Sequence, residues 1–222
     1  MKKTILAALA AAFSLTNCMA QDIKLPAPDM KQNSMSVVEA LATRHSVREY
    51  SSRQLTNQEL SNLCWAACGV SRDADHRTAP TAMNRKEIRL FAFTAKSVYE
   101  YIAEKNILKE VAKGDYRSIH ASNGVDPRTG RKGFSQDFVS QAPVVLMMVI
   151  DYDLFQSEGE KALMMGCVDA GNVSENINLY CQAVGLATVP RATHDTDGIR
   201  ELLGFTEKQL PILNNPVGHP KE

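Results

Sequence analysis

The chain carries almost nothing that would announce a partner by charge or by metal. Its 222 residues hold 25 Lys and Arg against 25 Asp and Glu, so there is no net field to draw in nucleic acid or an anionic membrane surface. Its five histidines are scattered, and no two of its five cysteines make a Cys-x-x-Cys pair, which leaves no zinc spacing and no metal site to propose. That cysteine density is far below the level of a disulfide-stapled secreted scaffold. No Gly-x-Gly-x-x-Gly follows a strand, which excludes a dinucleotide-binding turn. Nothing in the spacing of His45, His194 and Ser46 marks them as a triad, and no residue reads as uniquely catalytic.

What is present begins with an export pattern. Lys2 and Lys3 precede an apolar run from Ile5 to Leu15 and a small residue at Ala20, the layout of a secretory signal over residues 1–20 and too short a run for a membrane span. Cleavage after Ala20 and a periplasmic destination are the expectation. A lipid anchor on Cys18 is the less favoured alternative, because Asn17 stands where such a box has a small residue. The remaining 202 residues carry 23 basic and 25 acidic side chains and suit one domain that buries about 70% of its unfolded surface. Residues 21–35, with Pro26 and Pro28, read as an extended arm, and residues 36–222 as the domain. Cys64 and Cys68 lie four apart on a predicted helix and read as small packed hydrophobes, with a disulfide left open.

Periodicity orders the rest. Ser36 with Glu39, and Thr56 with Glu59, are capping boxes that predict helices from Ser36 to Arg44 and from Asn57 to Cys68. Val37, Val38, Leu41 and Ala42 recur at helical spacing in the first. In the second Trp65 reads as a core or interface anchor, and Gly69 as the stop. From Glu87 to Ala112 the period shifts to two, which predicts a small set of strands. Residues 118–133, with four turn-forming Gly and Pro positions, read as a long lid-like loop, and Phe134 to Gln141 as a short helix. Val144 to Ile150 is an unbroken apolar run, as expected of a strand covered on both faces. The longest helix is predicted over 159–184, with Gly171 as a place of close helix approach. A last helix is expected over Thr196 to Leu203.

Two stretches invite chemistry. Arg44 and Arg48 sit four apart at a helix end with the Ser46 hydroxyl between them, and forked guanidiniums with a hydroxyl suit a phosphate. Basic residues there would equally complement a helix dipole, and spacing alone leaves both readings open. Thr78-Ala79-Pro80-Thr81-Ala82-Met83-Asn84 reads as a turn before a strand, with or without a ligand.

The run Arg44-His45-Ser46-Val47-Arg48-Glu49-Tyr50 resembles the opening signature of the nitroreductase family. Two further stretches are similar to that family and stand in its order: Pro80 to Asn84, and Asp169-Ala170-Gly171-Asn172 through Ala183-Val184-Gly185-Leu186 into the loop that follows. Similarity to the azoline-oxidising flavin dehydrogenase branch is looser. The resemblance implies an α+β nitroreductase-like fold, a mostly antiparallel sheet flanked by helices, in an intertwined homodimer that binds FMN. It places Arg44, His45, Ser46 and Arg48 on the FMN phosphate, and Pro80, Thr81, Ala82 and Asn84 against the partner's flavin. Pro190, Arg191, Ala192 and Thr193 would pass beside the ring, where a backbone N–H approaches N5. The chain departs from the pattern at Lys86, where family members carry Gln, and at Ala192-Thr193, where many carry Glu-Gly. Where relatives continue and supply further basic residues, only Lys221 is left. The implied activity is two-electron transfer from a small-molecule donor to nitro, quinone or similar acceptors. Two alternatives stay open: an exported substrate dehydrogenase passing electrons outward, and a flavin-binding protein without turnover.

Overall fold

The computed structural model describes residues 21–122, 130 and 135–221. The export pattern lies outside the described residues, as does most of the lid-like loop. Capping boxes open the first two helices as predicted: Ser36 caps Val37–Thr43 (α1) and Thr56 caps Asn57–Cys68 (α2), each with its Glu side chain returned to the cap backbone. Three strands then form an antiparallel meander, Ile88–Thr94 (β2), Ser97–Ile102 (β3) and Ile107–Lys113 (β4). The arm is extended and is stitched onto this sheet, for Ile23–Lys24 (β1) pairs with Ile107 and Leu108 of β4. Val144–Asp151 (β5) runs beside β2 and leads into the short helix Tyr152–Phe155 (α3) and the long helix Glu160–Val184 (α4). Ala187–Thr188 (β6), Thr196–Leu203 (α5) and Gln209–Gly218 (β7) complete the chain. The strand order is β1-β4-β3-β2-β5-β7-β6, with every described pairing antiparallel.

β5 shows why its sequence is apolar from Val144 to Ile150. Leu146, Met148 and Ile150 face a core shared with Leu63, Cys64 and Ala67 of α2 and Val173, Ile177 and Cys181 of α4. Val145, Met147 and Val149 point the other way, to Phe91, Phe93, Val139 and Ile199 of α5. Alternate side chains thus serve two layers, and no polar residue fits either. Cys64 and Cys68 pack in the first layer as free thiols, and burial pushes Cys68 up to about 12. Close approach of α4 to the sheet occurs at Gly166, where an added Cβ would meet the Ile150 side chain at 2.6 Å; Gly171, the position expected for it, faces open space. Among the described residues no helix is long and apolar enough to cross a membrane.

Candidate functional site

The segment after α1 is held by its backbone and leaves its cations free. Arg44 N–H closes the helix onto Ala40 O, Val47 N–H donates to Thr188 O at 2.9 Å, and Tyr50 bridges to Pro220. Tyr50 is buried, and its hydroxyl donates to Val47 O and Pro216 O, which fixes the exit of the segment. Lys221 N–H returns to Glu49 O, so the end of the described chain lies against the same strand. Arg44, His45, Ser46, Arg48 and Lys221 are all exposed. Arg44, Arg48 and Lys221 form no ion pair among the described residues, and Nδ1 of His45 lies 3.0 Å from Thr43 O. Burial raises the Tyr50 hydroxyl well above its ordinary range, and the charges of Arg191 and Arg48 offset only part of that rise.

The turn from Pro80 to Lys86 is built differently. Met83, Asn84 and Lys86 all have positive φ (53°, 53° and 57°), a region that non-glycine residues rarely enter unless their surroundings hold them there. Three hydrogen bonds do the holding: Ala82 N–H to Asp169 Oδ2 at 2.6 Å, Lys86 N–H to Thr81 Oγ1, and the Asn84 amide to Asp75 O. Thr81 therefore spends its hydroxyl on the turn, and Lys86 pairs with Asp75. Pro80, Thr81 and Asn84 line a polar hollow of about 400 Å³ together with Arg72, His76 and Arg77. Beneath the turn Glu87 is fully buried, and neither of its carboxyl oxygens accepts from any donor. Its neighbour is Asp169, and burial, then the nearness of the Asp169 carboxyl, raises Glu87 to about 8.

The third stretch brings Pro190 to Thr193 alongside β7. Arg191 exchanges backbone hydrogen bonds with Asn214, and its side chain turns inward. Each guanidinium nitrogen has a neutral acceptor: Nε donates to Gln136 Oε1, Nη1 to Asn214 Oδ1 and Nη2 to His120 O. The planar group also lies over the Phe138 ring. Burial without a carboxylate partner lowers it to about 10. Nearby, His120 is buried edge-on against Phe93 and His194 is buried beside it; burial, then the proximity of His194 and Arg191, holds His120 well below the ordinary imidazole range. Ala192 is exposed, and Thr193 is buried with its carbonyl accepting from Asn214.

Of the predicted site residues, the structure therefore gathers Arg44, His45, Ser46, Arg48 and Lys221 with the Thr188–Thr193 loop. It does not bring Pro80 to Asn84 to them within one chain. α1 is tied to the far end of α4 through Gln182 and Ala183, whereas Ala82 is tied to Asp169. Thirteen residues separate Asp169 from Gln182 on one helix, about 20 Å at 1.5 Å per residue. Glu87 and Asp169 went unread in the sequence. Asp169 had a signal, since it stands four residues before Val173 and eight before Ile177 on the buried stripe of α4, where a carboxylate is out of place.

The family model described as "Nitroreductase family" matches residues 41–219. A Methanocaldococcus jannaschii protein with a provisional nitroreductase name is 26% identical over 211 residues, 92% of this chain and 100% of that one. A Bacillus subtilis protein named FMN reductase [NAD(P)H] is 21% identical over 84% of this chain and 66% of its own. Among solved structures, a provisionally named nitroreductase of Ralstonia eutropha JMP134 superposes with a TM-score of 0.78 at 30% identity, covering 90% of each chain. The match spans the cationic segment, the strained turn and the loop that carries Arg191, and the chain belongs to the nitroreductase family of oxidoreductases.

Proposed function

We propose that the protein is an FMN-dependent oxidoreductase that carries two electrons from a small-molecule donor to nitro, quinone or similar acceptors. The observation that carries this reading is a set of exposed cations with no ion pair among the described residues: Arg44 and Arg48 on the segment tied to Thr188, and Lys221, whose backbone N–H meets Glu49 O of that segment. A phosphate there would meet planar paired donors and the Ser46 hydroxyl with no competing carboxylate. The name of the Bacillus subtilis relative supports FMN as the group held. Bound FMN would supply the redox chemistry, taking up hydride and giving it to the acceptor. The chain's own part is to bind the phosphate through Arg44, Ser46 and Arg48, and to offer the backbone of Pro190 to Thr193 beside the ring. The Pro80 to Asn84 turn would exclude water from its edge. No acid or base among the site residues is needed for hydride movement.

The reading extends to a homodimer with shared sites. The rise of about 20 Å along α4 between the tethers of the two half-sites supports it, because a second copy could set the turn against the cations. Val37, Val38 and Leu41 of α1 are 69%, 75% and 59% exposed, and Met164 and Val168 of α4 are 59% and 60% exposed, so an apolar surface stands ready for a symmetry mate. Mixing an Arg48→Ala variant with an Asn84→Ala variant should restore part of the flavin content in heterodimers. A monomer by light scattering that still binds one FMN tightly would end the dimer proposal. The activity itself is tested by reducing the yellow protein with NAD(P)H and reoxidising it with a nitroaromatic or quinone; flavin that no donor bleaches would favour a binder. Export is proposed from the signal-like residues 1–20, and the mass of the protein from its native envelope should place Gln21 at the terminus. A lipid-modified Cys18 would sink that reading.

A further inference from the structure

Glu87 presents a problem that the activity leaves unsolved. It begins β2 with no solvent exposure, and its carboxyl oxygens receive no donor from the backbone or from any cation. The charged groups around it are committed elsewhere. Lys86 pairs with Asp75, Arg77 with Glu104, and Arg89 with both Glu100 and Asp151, while Arg85 donates to the Gln156 amide. The Asp151 N–H takes only the backbone carbonyl of Glu87. What remains is Asp169 on α4, itself 5% exposed, whose Oδ2 accepts from Ala82 N–H. Two carboxyl groups without a cation can share such a site only if one keeps its proton and donates it to the other. Asp169 meanwhile holds the amide of the strained turn through its Oδ2.

We propose that Glu87 is a positioning residue for flavin binding: its protonated carboxyl donates to Asp169, and this pair holds the Pro80–Lys86 turn in the conformation that the flavin needs. The proposal rests on the FMN reading above for its second half only. When the pair loses its proton, two adjacent buried anions repel, Asp169 shifts from Ala82, and residues 83, 84 and 86 lose the tether that keeps them at positive φ. Burial and Asp169 both raise the Glu87 value above that of the unfolded chain. The stabilisation is therefore complete below the ordinary carboxylate range, declines as pH rises, and is gone above about 8. Turn geometry and flavin affinity should fall together over that window.

The test compares the full-length wild type with Glu87→Gln, whose amide still donates to Asp169 but cannot titrate. In protein freed of flavin, hydrogen exchange of the Ala82 amide is read as the ratio of wild type to variant at each pH, which cancels the intrinsic rate. That ratio should rise about tenfold between pH 6.5 and 9, the equivalent of one pKa unit of coupling. FMN dissociation constants by fluorescence should weaken in parallel in the wild type and stay flat in Glu87→Gln. A flat exchange ratio overturns the proposal. A rising ratio with the same pH dependence of FMN affinity in both proteins overturns the positioning role and leaves only a local titration. Failure of the wild type to bind FMN at any pH overturns the flavin reading, and it is told apart because the exchange ratio in flavin-free protein still rises.

Discussion

Arg44 and Arg48 on one side of the candidate site, and Arg191 on the other, are the same side chain put to opposite uses. The first two stand exposed on a segment whose backbone alone is tied down, and they spend nothing on the protein. Arg191 is 7% exposed, and each of its nitrogens is already engaged with Gln136, Asn214 or His120. A guanidinium that has filled its acceptors within the fold has no bidentate face left for a phosphate. Capacity for a ligand is thus read from what a cation lacks, and Arg191 is placed beside the site as a brace.

The comparison is sharpened most by removing the brace. Arg191→Ala leaves two buried acceptors, Asn214 Oδ1 and His120 O, and the half-buried Gln136 Oε1 without donors and should cost about 3 kcal/mol or more in urea unfolding, since charged hydrogen bonds and orphaned buried groups each contribute at that scale. A loss of flavin with unchanged stability would reverse the assignment. Arg48→Ala should do the opposite, weakening FMN binding by about tenfold or more while the flavin-free protein keeps its midpoint, because one charge-assisted bond of about 1.5 to 3 kcal/mol is lost. If Arg44→Ala and Arg48→Ala both retain stoichiometric flavin at micromolar protein, the phosphate assignment fails.

Acid probes the surroundings of the brace. His120 is neutral in the fold and its folded value lies below that of the unfolded chain, so its stabilisation is present above the ordinary imidazole value and is lost as pH falls. Between pH 6.5 and 5 the wild type should lose up to roughly 1.4 kcal/mol per pH unit from this histidine, and His120→Leu should lose less. Thermal unfolding of both proteins across that range checks it, and parallel slopes would remove His120 from the account. The smallest effect is expected at Lys221, a flexible point charge. Lys221→Ala should weaken FMN about fivefold or less, as exposed pairs rarely exceed about 1 kcal/mol. A tenfold loss in the same fluorescence titration would promote it to the rank of the arginines.

Much of the fold was legible because local signals agreed with one another. α2 begins at Asn57 behind Thr56 and ends at Cys68 before Gly69, as its capping box and stop predict. The strands of the meander, the two-faced β5 and the span of α4 follow from period and length. Phe134 to Gln141 becomes a 3-10 helix over Asp137–Gln141, the short form of the same expectation. What was not legible is where a face finds its partner. Periodicity groups Val37, Val38 and Leu41 on one side of α1, yet it says nothing of the fact that this side points out of the chain. Arg191 was read beside the ring from its neighbours in sequence, and only the packing of Phe138, Gln136 and Asn214 around it reveals a side chain turned away. The Glu87 and Asp169 pair depends on residues 82 positions apart meeting through α4, a relation that no local pattern encodes.

The place of β7 in the sheet sets an order of assembly. The β2–β3–β4 meander joins near neighbours in sequence, so it can form early and with little loop closure. β5 can then dock on β2, but its other edge is matched residue by residue only by β7, from Val144 against Val217 to Asp151 against Gln209. Between the two lie α3, α4, β6 and α5. Until that last strand slides in, β5 is a bare edge whose side chains are apolar from Val144 to Ile150, the kind that recruits strands from other molecules. A chain halted before residue 209 would thus fail by sticking to its neighbours while most of its helices were already formed.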